Sequence, residues 1–109
     1  MSCSYSAFAT PAEMQVLKSR KGYGKLLAAK LEFVRIRYEM VVGRTPFGLS
    51  GYAFLQGEAD ALRVRWLLPD VQLRLRDMRV VDLSITEVFG TTARAEMIAI
   101  PKWFLYSLI

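Results

Sequence analysis

The chain has 109 residues, enough for one domain around a single core and too few for a second. Its net charge of +5 points to anionic partners, and a hydrophobic fraction of 53% is high for so short a chain, which fits either a monomer with some apolar surface or, in the favoured reading, a subunit that buries a second apolar face. With no histidine and one cysteine, Cys3, it lacks the usual catalytic base and the commonest zinc ligand, and it can form neither an intrachain disulfide nor a thiolate metal cluster.

These counts set the expected class: a non-enzymatic binding or assembly protein, with no cofactor and no metal. No apolar run approaches the roughly 18 residues that a membrane span needs. The opening "MSCSYSAFATPAE" has neither the basic start nor the continuous apolar stretch of a signal peptide, so a cytoplasmic setting is expected. Repeats and low-complexity tracts are absent from the sequence.

Taken in chain order, "ATPAEMQVLKSR" reads as a helix start. Thr10 can cap it, Pro11 suits the first helical position, and Glu13 sits well in the first turn. "KGYG" then reads as a helix break. Residues 25–32 are good helix formers, so a helix is expected to about Leu31 and a strand after it, although Leu27, Leu31, Val34, Tyr38 and Val41 would also form a stripe on a longer helix. Residues 33–42 are mostly β-type and alternate, with Val34, Ile36, Tyr38 and Met40 on one side and Arg35, Arg37 and Glu39 on the other. "GRTPFGLSG" reads as a loop.

From Gly51 onward the pattern reads as an antiparallel meander. A Pro69-Asp70 turn would pair Val64 with Leu75 and Trp66 with Leu73. A loop at residues 77–79 would pair Leu75 with Val81 and Leu73 with Leu83. A loop at Gly90 would pair Leu83 with Met97 and Ile85 with Ala95, and one at residues 57–59 would pair Phe54 with Leu62 and Tyr52 with Val64. All four registers leave the same side chains on one apolar face. "PKWFLYSLI" reads as a short helix or an apolar tail. The fold class is thus α+β: an N-terminal helix packed on a mainly antiparallel meander sheet or partial barrel of about five to six strands, with a short C-terminal helix, in one domain over residues 1–109.

The same registers place Arg63 opposite Arg76 and Arg65 opposite Arg74, two unfavourable like-charge pairs. Asp82 falls beside Arg74, while Arg63, Arg65 and Arg76 have no facing acid. Arg35 and Arg37 extend the patch if their strand joins the sheet. A second basic cluster holds Lys18, Arg20, Lys21 and Lys25 around Tyr23, a stacking candidate. Basic side chains interleaved with an aromatic suit nucleic acid or another anionic ligand. A solvated face, and cations at a helix end, are the plainer alternatives. Two glycines are too few for a phosphate-binding loop, and Asp82, Glu87 and Glu96 read as ion-pair partners rather than acid–base groups.

Trp103, Phe104, Tyr106, Leu108 and Ile109 form an end that either packs back or docks, to a second copy, a protein partner or, less favoured, a membrane surface. Trp66 is expected in the core with a partner for its indole N–H. Two short stretches echo known families. "VVDLSITEVFG" resembles the D-x-S-x-x-G motif of PilZ domains, which bind a cyclic dinucleotide, but Glu87 stands where the motif has its glycine and no R-x-x-x-R element lies at a suitable distance upstream. "FVRIRYEMVVGRTPF" is faintly similar to a segment of rhabdovirus matrix proteins. Neither transfers a residue role.

Overall fold

A computed structural model describes residues 15–106. Six strands form one closed antiparallel barrel: β1 (Gln15–Ala28), β2 (Leu31–Thr45), β3 (Gly48–Gln56), β4 (Val71–Leu75), β5 (Val80–Phe89) and β6 (Thr92–Met97). Two short helices accompany them, α1 (Ala59–Val64) and α2 (Lys102–Tyr106). The order around the barrel is β1-β2-β3-β6-β5-β4. Two three-stranded meanders therefore join along β3–β6 and along β1–β4, and α1 is the crossover between them.

Where a helix over the first basic cluster is expected, the chain forms β1. Residues 10–14, including the Thr10 cap and Pro11, lie outside the described residues. From Gln15 the chain is extended, and "KGYG" sits inside the strand rather than breaking a helix. Two interior glycines would each cost a helix about 1 kcal/mol, whereas here they bring neighbouring strands close. A Cβ on Gly24 would lie 2.7 Å from the Arg74 carbonyl oxygen, across the seam that closes the barrel. Residues 25–28 likewise continue β1 instead of forming a helix, and the chain turns at Ala29-Lys30, where Lys30 takes a φ of 68°. Asp70 fastens that turn by accepting the Ala29 N–H at 3.0 Å.

In β2 the expected alternation holds: Ile36, Tyr38 and Met40 are buried and Arg35 and Arg37 are exposed. The expected loop at residues 43–51 is largely strand. β2 runs to Thr45, the turn is only Pro46-Phe47, and β3 begins at Gly48. The Thr45 hydroxyl holds this turn, accepting the Phe47 N–H at 3.1 Å and donating to the Gly48 carbonyl at 3.0 Å.

The largest departure is at residues 59–64, which form α1 and not a strand. Ala61, Leu62 and Arg65 share a helical stripe and are buried, while Val64 and Trp66 are exposed, at 55% and 48%. The expected pairs Phe54–Leu62, Tyr52–Val64, Val64–Leu75 and Trp66–Leu73 therefore do not form. β3 instead pairs with β2 and β6, and β4 with β1 and β5. Trp66 is not in the core, but its indole N–H has a partner: it donates to the Thr86 carbonyl at 3.0 Å. Thr86 lies at the register shift between Ile85 and Glu87, so its carbonyl is turned out of the ladder.

β4 and β5 pair two residues out of the expected register, Leu73 with Val81 and Val71 with Leu83. An even slip keeps every side chain on its face, so the inward set is still Val71, Leu73, Leu75, Val81, Leu83 and Ile85. The β5–β6 hairpin has the expected register, Leu83 with Met97 and Ile85 with Ala95. The C-terminal segment does form a short helix. Phe104 on α2 is fully buried in the barrel core, so it packs back and is not presented to a partner. No helix among the described residues is long and apolar enough to cross a membrane.

Candidate anion-binding face

Closing the barrel through β1 and β4 brings together cations that are far apart in sequence. On the outer surface Lys25 of β1 faces Arg35 of β2 on one side and Arg74 of β4 on the other. Neighbouring strands lie about 4.8 Å apart, so the three stems rise within about 10 Å of one another. Tyr23 and Arg76 stand beside this row, and with it they line a concavity of about 550 Å³ whose floor and lip include Gly24, Leu75 and Met78. Arg37 faces Tyr23 across β1 and β2, its guanidinium 5.6 Å from the ring centre. Lys25 lies 4.5 Å from the centre of the Phe33 ring, which marks the apolar edge of the patch.

The electrostatics of this row are one-sided. Among the described residues the ion pairs are Arg20–Asp77, Arg63–Asp60 and Arg79–Asp77, and none involves Lys25, Arg35, Arg37, Arg74 or Arg76. Asp82, expected beside Arg74, faces Gln72 and accepts from its side-chain amide at 2.9 Å. Each of the two facing pairs, Lys25–Arg35 and Lys25–Arg74, is unfavourable by about 0.2–1 kcal/mol. The row thus places convergent donors around one recess, with no carboxylate among the described residues that line it.

The remaining candidates divide among other surroundings. Arg63 is on α1, paired with Asp60 at 3.3 Å and remote in fold from Arg76. Arg65, expected on the exposed face opposite Arg74, is 2% exposed. Its guanidinium donates to the Ala61 carbonyl at 2.8 Å and to the Glu32 carbonyl, which ties the end of α1 to the start of β2. Its Nε has no hydrogen-bond partner among the described residues, and burial lowers the pKa of the group from its ordinary value. Arg65 is therefore buried away from the Lys25 row and ties α1 to β2.

Lys18 and Arg20 occupy inward-parity positions of β1 and are covered by α2. The Lys18 ammonium lies 5.3 Å from the Phe104 ring centre, and Arg20 lies 5.9 Å from that of Trp103. Arg79 approaches the same indole at 5.1 Å, and Asp77 links the two arginines at 3.4 and 3.8 Å. The Asp77 carboxyl is held below its ordinary pKa, first by the Arg79 backbone N–H and then by the flanking arginines. Lys21 points outward, in register with Glu39. Trp103 packs edge-on against Phe104, with ring centres 5.8 Å apart, and Tyr106 ends α2; Leu108 and Ile109 lie outside the described residues.

Leu75, Met78 and Phe33 were not recognisable as site residues from sequence, because nothing local signals that β4 pairs with β1. Among the described residues no group of three His, Cys, Asp or Glu side chains could hold a metal ion. Comparison with known protein families, with curated proteins and with solved structures finds no match to this chain.

Proposed function

We propose that the protein is a non-enzymatic binding module that engages an anionic partner, nucleic acid above all, through the outer face of β2, β1 and β4. The observation that carries this reading is the row Arg35–Lys25–Arg74, joined by Arg76 around one recess that has no carboxylate among its described lining residues. A fold gains nothing from placing like charges face to face, and a phosphate chain relieves the repulsion it finds there. Tyr23, 58% exposed at the rim, supplies an aromatic surface beside the cations.

Fluorescence anisotropy with a short single-stranded oligonucleotide across a range of salt tests this. Each phosphate neutralised contributes about 0.7 to the slope of log affinity against log salt, so four cations give a slope of about −3. Arg74→Gln and Arg35→Gln each reduce that slope, whereas Arg63→Gln on α1 leaves it unchanged. Binding that ignores salt, or an Arg63 variant as impaired as the Arg74 one, contradicts the reading.

A second reading, self-association with another copy of the chain, draws on the exposed apolar side chains Val64, Trp66 and Leu67 at the end of α1. Light scattering decides it: a strict monomer at high concentration counts against it.

A further inference from the structure

A second concavity, also about 550 Å³, adjoins the first, and the exposed Tyr23 belongs to the wall of both. Its charged lining is Lys21 of β1 with Arg37 and Glu39 of β2. These side chains share the outer surface with Lys25 and Arg35: Tyr23 faces Arg37, and Lys21 faces Glu39. Two cations against one carboxylate leave this recess with a net positive charge. It is weaker than that of the first recess, where Lys25, Arg35, Arg74 and Arg76 meet no carboxylate among the described lining residues. None of the ion pairs among the described residues involves Lys21, Arg37 or Glu39.

The cations of the two recesses follow the direction of the strands. Lys21 stands four residues before Lys25 on β1, and Arg37 two residues after Arg35 on β2. At about 3.3 Å per residue, the stems of Lys21 and Lys25 are rooted about 13 Å apart, and those of Arg35 and Arg37 about 7 Å. A charge-assisted hydrogen bond to a phosphate oxygen spans only about 3 Å. One phosphate can be shared within the Lys25 row, but it leaves the second recess unfilled. Arg37, with its guanidinium 5.6 Å from the Tyr23 ring centre, stands where one recess passes into the other. Cations spread along a line in this way complement a row of negative charges better than a single one. Glu39 offsets part of the charge of Lys21, so the hold on that row is firmest at Lys25 and loosens toward Lys21.

We infer that the two recesses form one track, and that the ligand is a linear chain of phosphates that runs from Arg74 past Tyr23 to Lys21, not a single phosphate or a mononucleotide held at the Lys25 row. This rests on the anion-binding reading above and adds what that reading leaves open: the reach of the site and the length of ligand that fills it.

The test is a length series of labelled single-stranded oligonucleotides, about two, four, eight and twelve nucleotides long, titrated onto the full chain by fluorescence anisotropy across a range of salt. The slope of log affinity against log salt should steepen with length and level off near about −4, because Lys21 and Arg37 join the four cations of the first recess. Lys21→Gln should make the slope of the long strands shallower by about 0.7 and leave the dinucleotide unaffected. Glu39→Gln should tighten binding of the long strands alone. Arg74→Gln should weaken every length. A dinucleotide that already shows the full slope, or a Lys21→Gln variant that affects all lengths alike or none, overturns the track; if Arg74→Gln still weakens binding in that case, the anion face survives it. Failure of every length to bind overturns both.

Discussion

Arg65 and Arg74 belong to one basic stretch, "LRVRWLLPDVQLRLR", yet they meet opposite surroundings. Arg65 is buried at the end of α1, and two backbone carbonyls take up its donors. Arg74 lies on the barrel wall, faces Lys25 and has no acidic partner among the described residues. An arginine whose two terminal nitrogens are bound inside the fold holds elements together. An arginine left among like charges on the surface is available to a ligand. The contrast shows that basic residues close in sequence need not act together, and that the partners deciding their role can come from a strand far away in the chain.

The strongest way to break the comparison is at Arg65. Arg65→Ala leaves the Ala61 and Glu32 carbonyls without their donor and should cost about 2–4 kcal/mol, read from urea unfolding. Arg65→Lys should recover little of it, because a single ammonium does not reproduce the forked geometry. A cost no larger than that of a surface substitution would return Arg65 to the exposed class.

Next comes the seam that assembles the cationic row. Gly24→Ala places a Cβ against the Arg74 carbonyl, so β4 must shift, at about 1–3 kcal/mol. Anion affinity should fall in the same variant, since the Lys25–Arg74 spacing changes with the seam. An unaltered melting temperature would mean that the seam is looser than the geometry indicates.

On the exposed face the effect is smaller and opposite in sign. Arg35→Gln removes one like-charge pair and should stabilise the fold by about 0.2–1 kcal/mol. The smallest effect is expected at Asp77, whose arginines are satisfied by an acid. Its carboxyl titrates below the ordinary carboxylate range when folded. Its stabilising contribution is therefore fully present above the unfolded-state pKa and is lost as pH falls through the folded one. Asp77→Asn should be less stable than the parent at neutral pH, with the gap closing on the acid side. A gap independent of pH would show that the charge is not the cause.

How far the fold was legible depended on where the apolar residues fell. The core pairs of the β5–β6 hairpin, Leu83 with Met97 and Ile85 with Ala95, could be read because the apolar residues alternate around Gly90, whose φ is 61°; the register shift between Ile85 and Glu87 could not. β1 could not, since before Leu26 and Ala28 its inward positions are held by Lys18, Arg20, Gly22 and Gly24, which carry no hydrophobic period. At residues 61–66 two periods compete. Leu62, Val64 and Trp66 fit a strand, Ala61, Leu62 and Arg65 fit a helical stripe, and the buried member that decides between them is an arginine. As for the site, the outward placement of Arg35 and Arg37, and of Arg74 and Arg76, was readable from alternation. Their meeting across Lys25 was not, because it follows from closure of the barrel between the strands that begin its two meanders.

The central claim, that this face carries charge at the expense of the fold because a ligand needs it, is tested most directly at Arg74. Arg74→Glu, measured in parallel by urea unfolding without ligand and by oligonucleotide anisotropy, should be more stable than the parent, because Lys25 gains an opposite charge in place of a like one. It should also bind more weakly and with a shallower salt dependence. A variant that loses stability while binding unchanged would contradict the account.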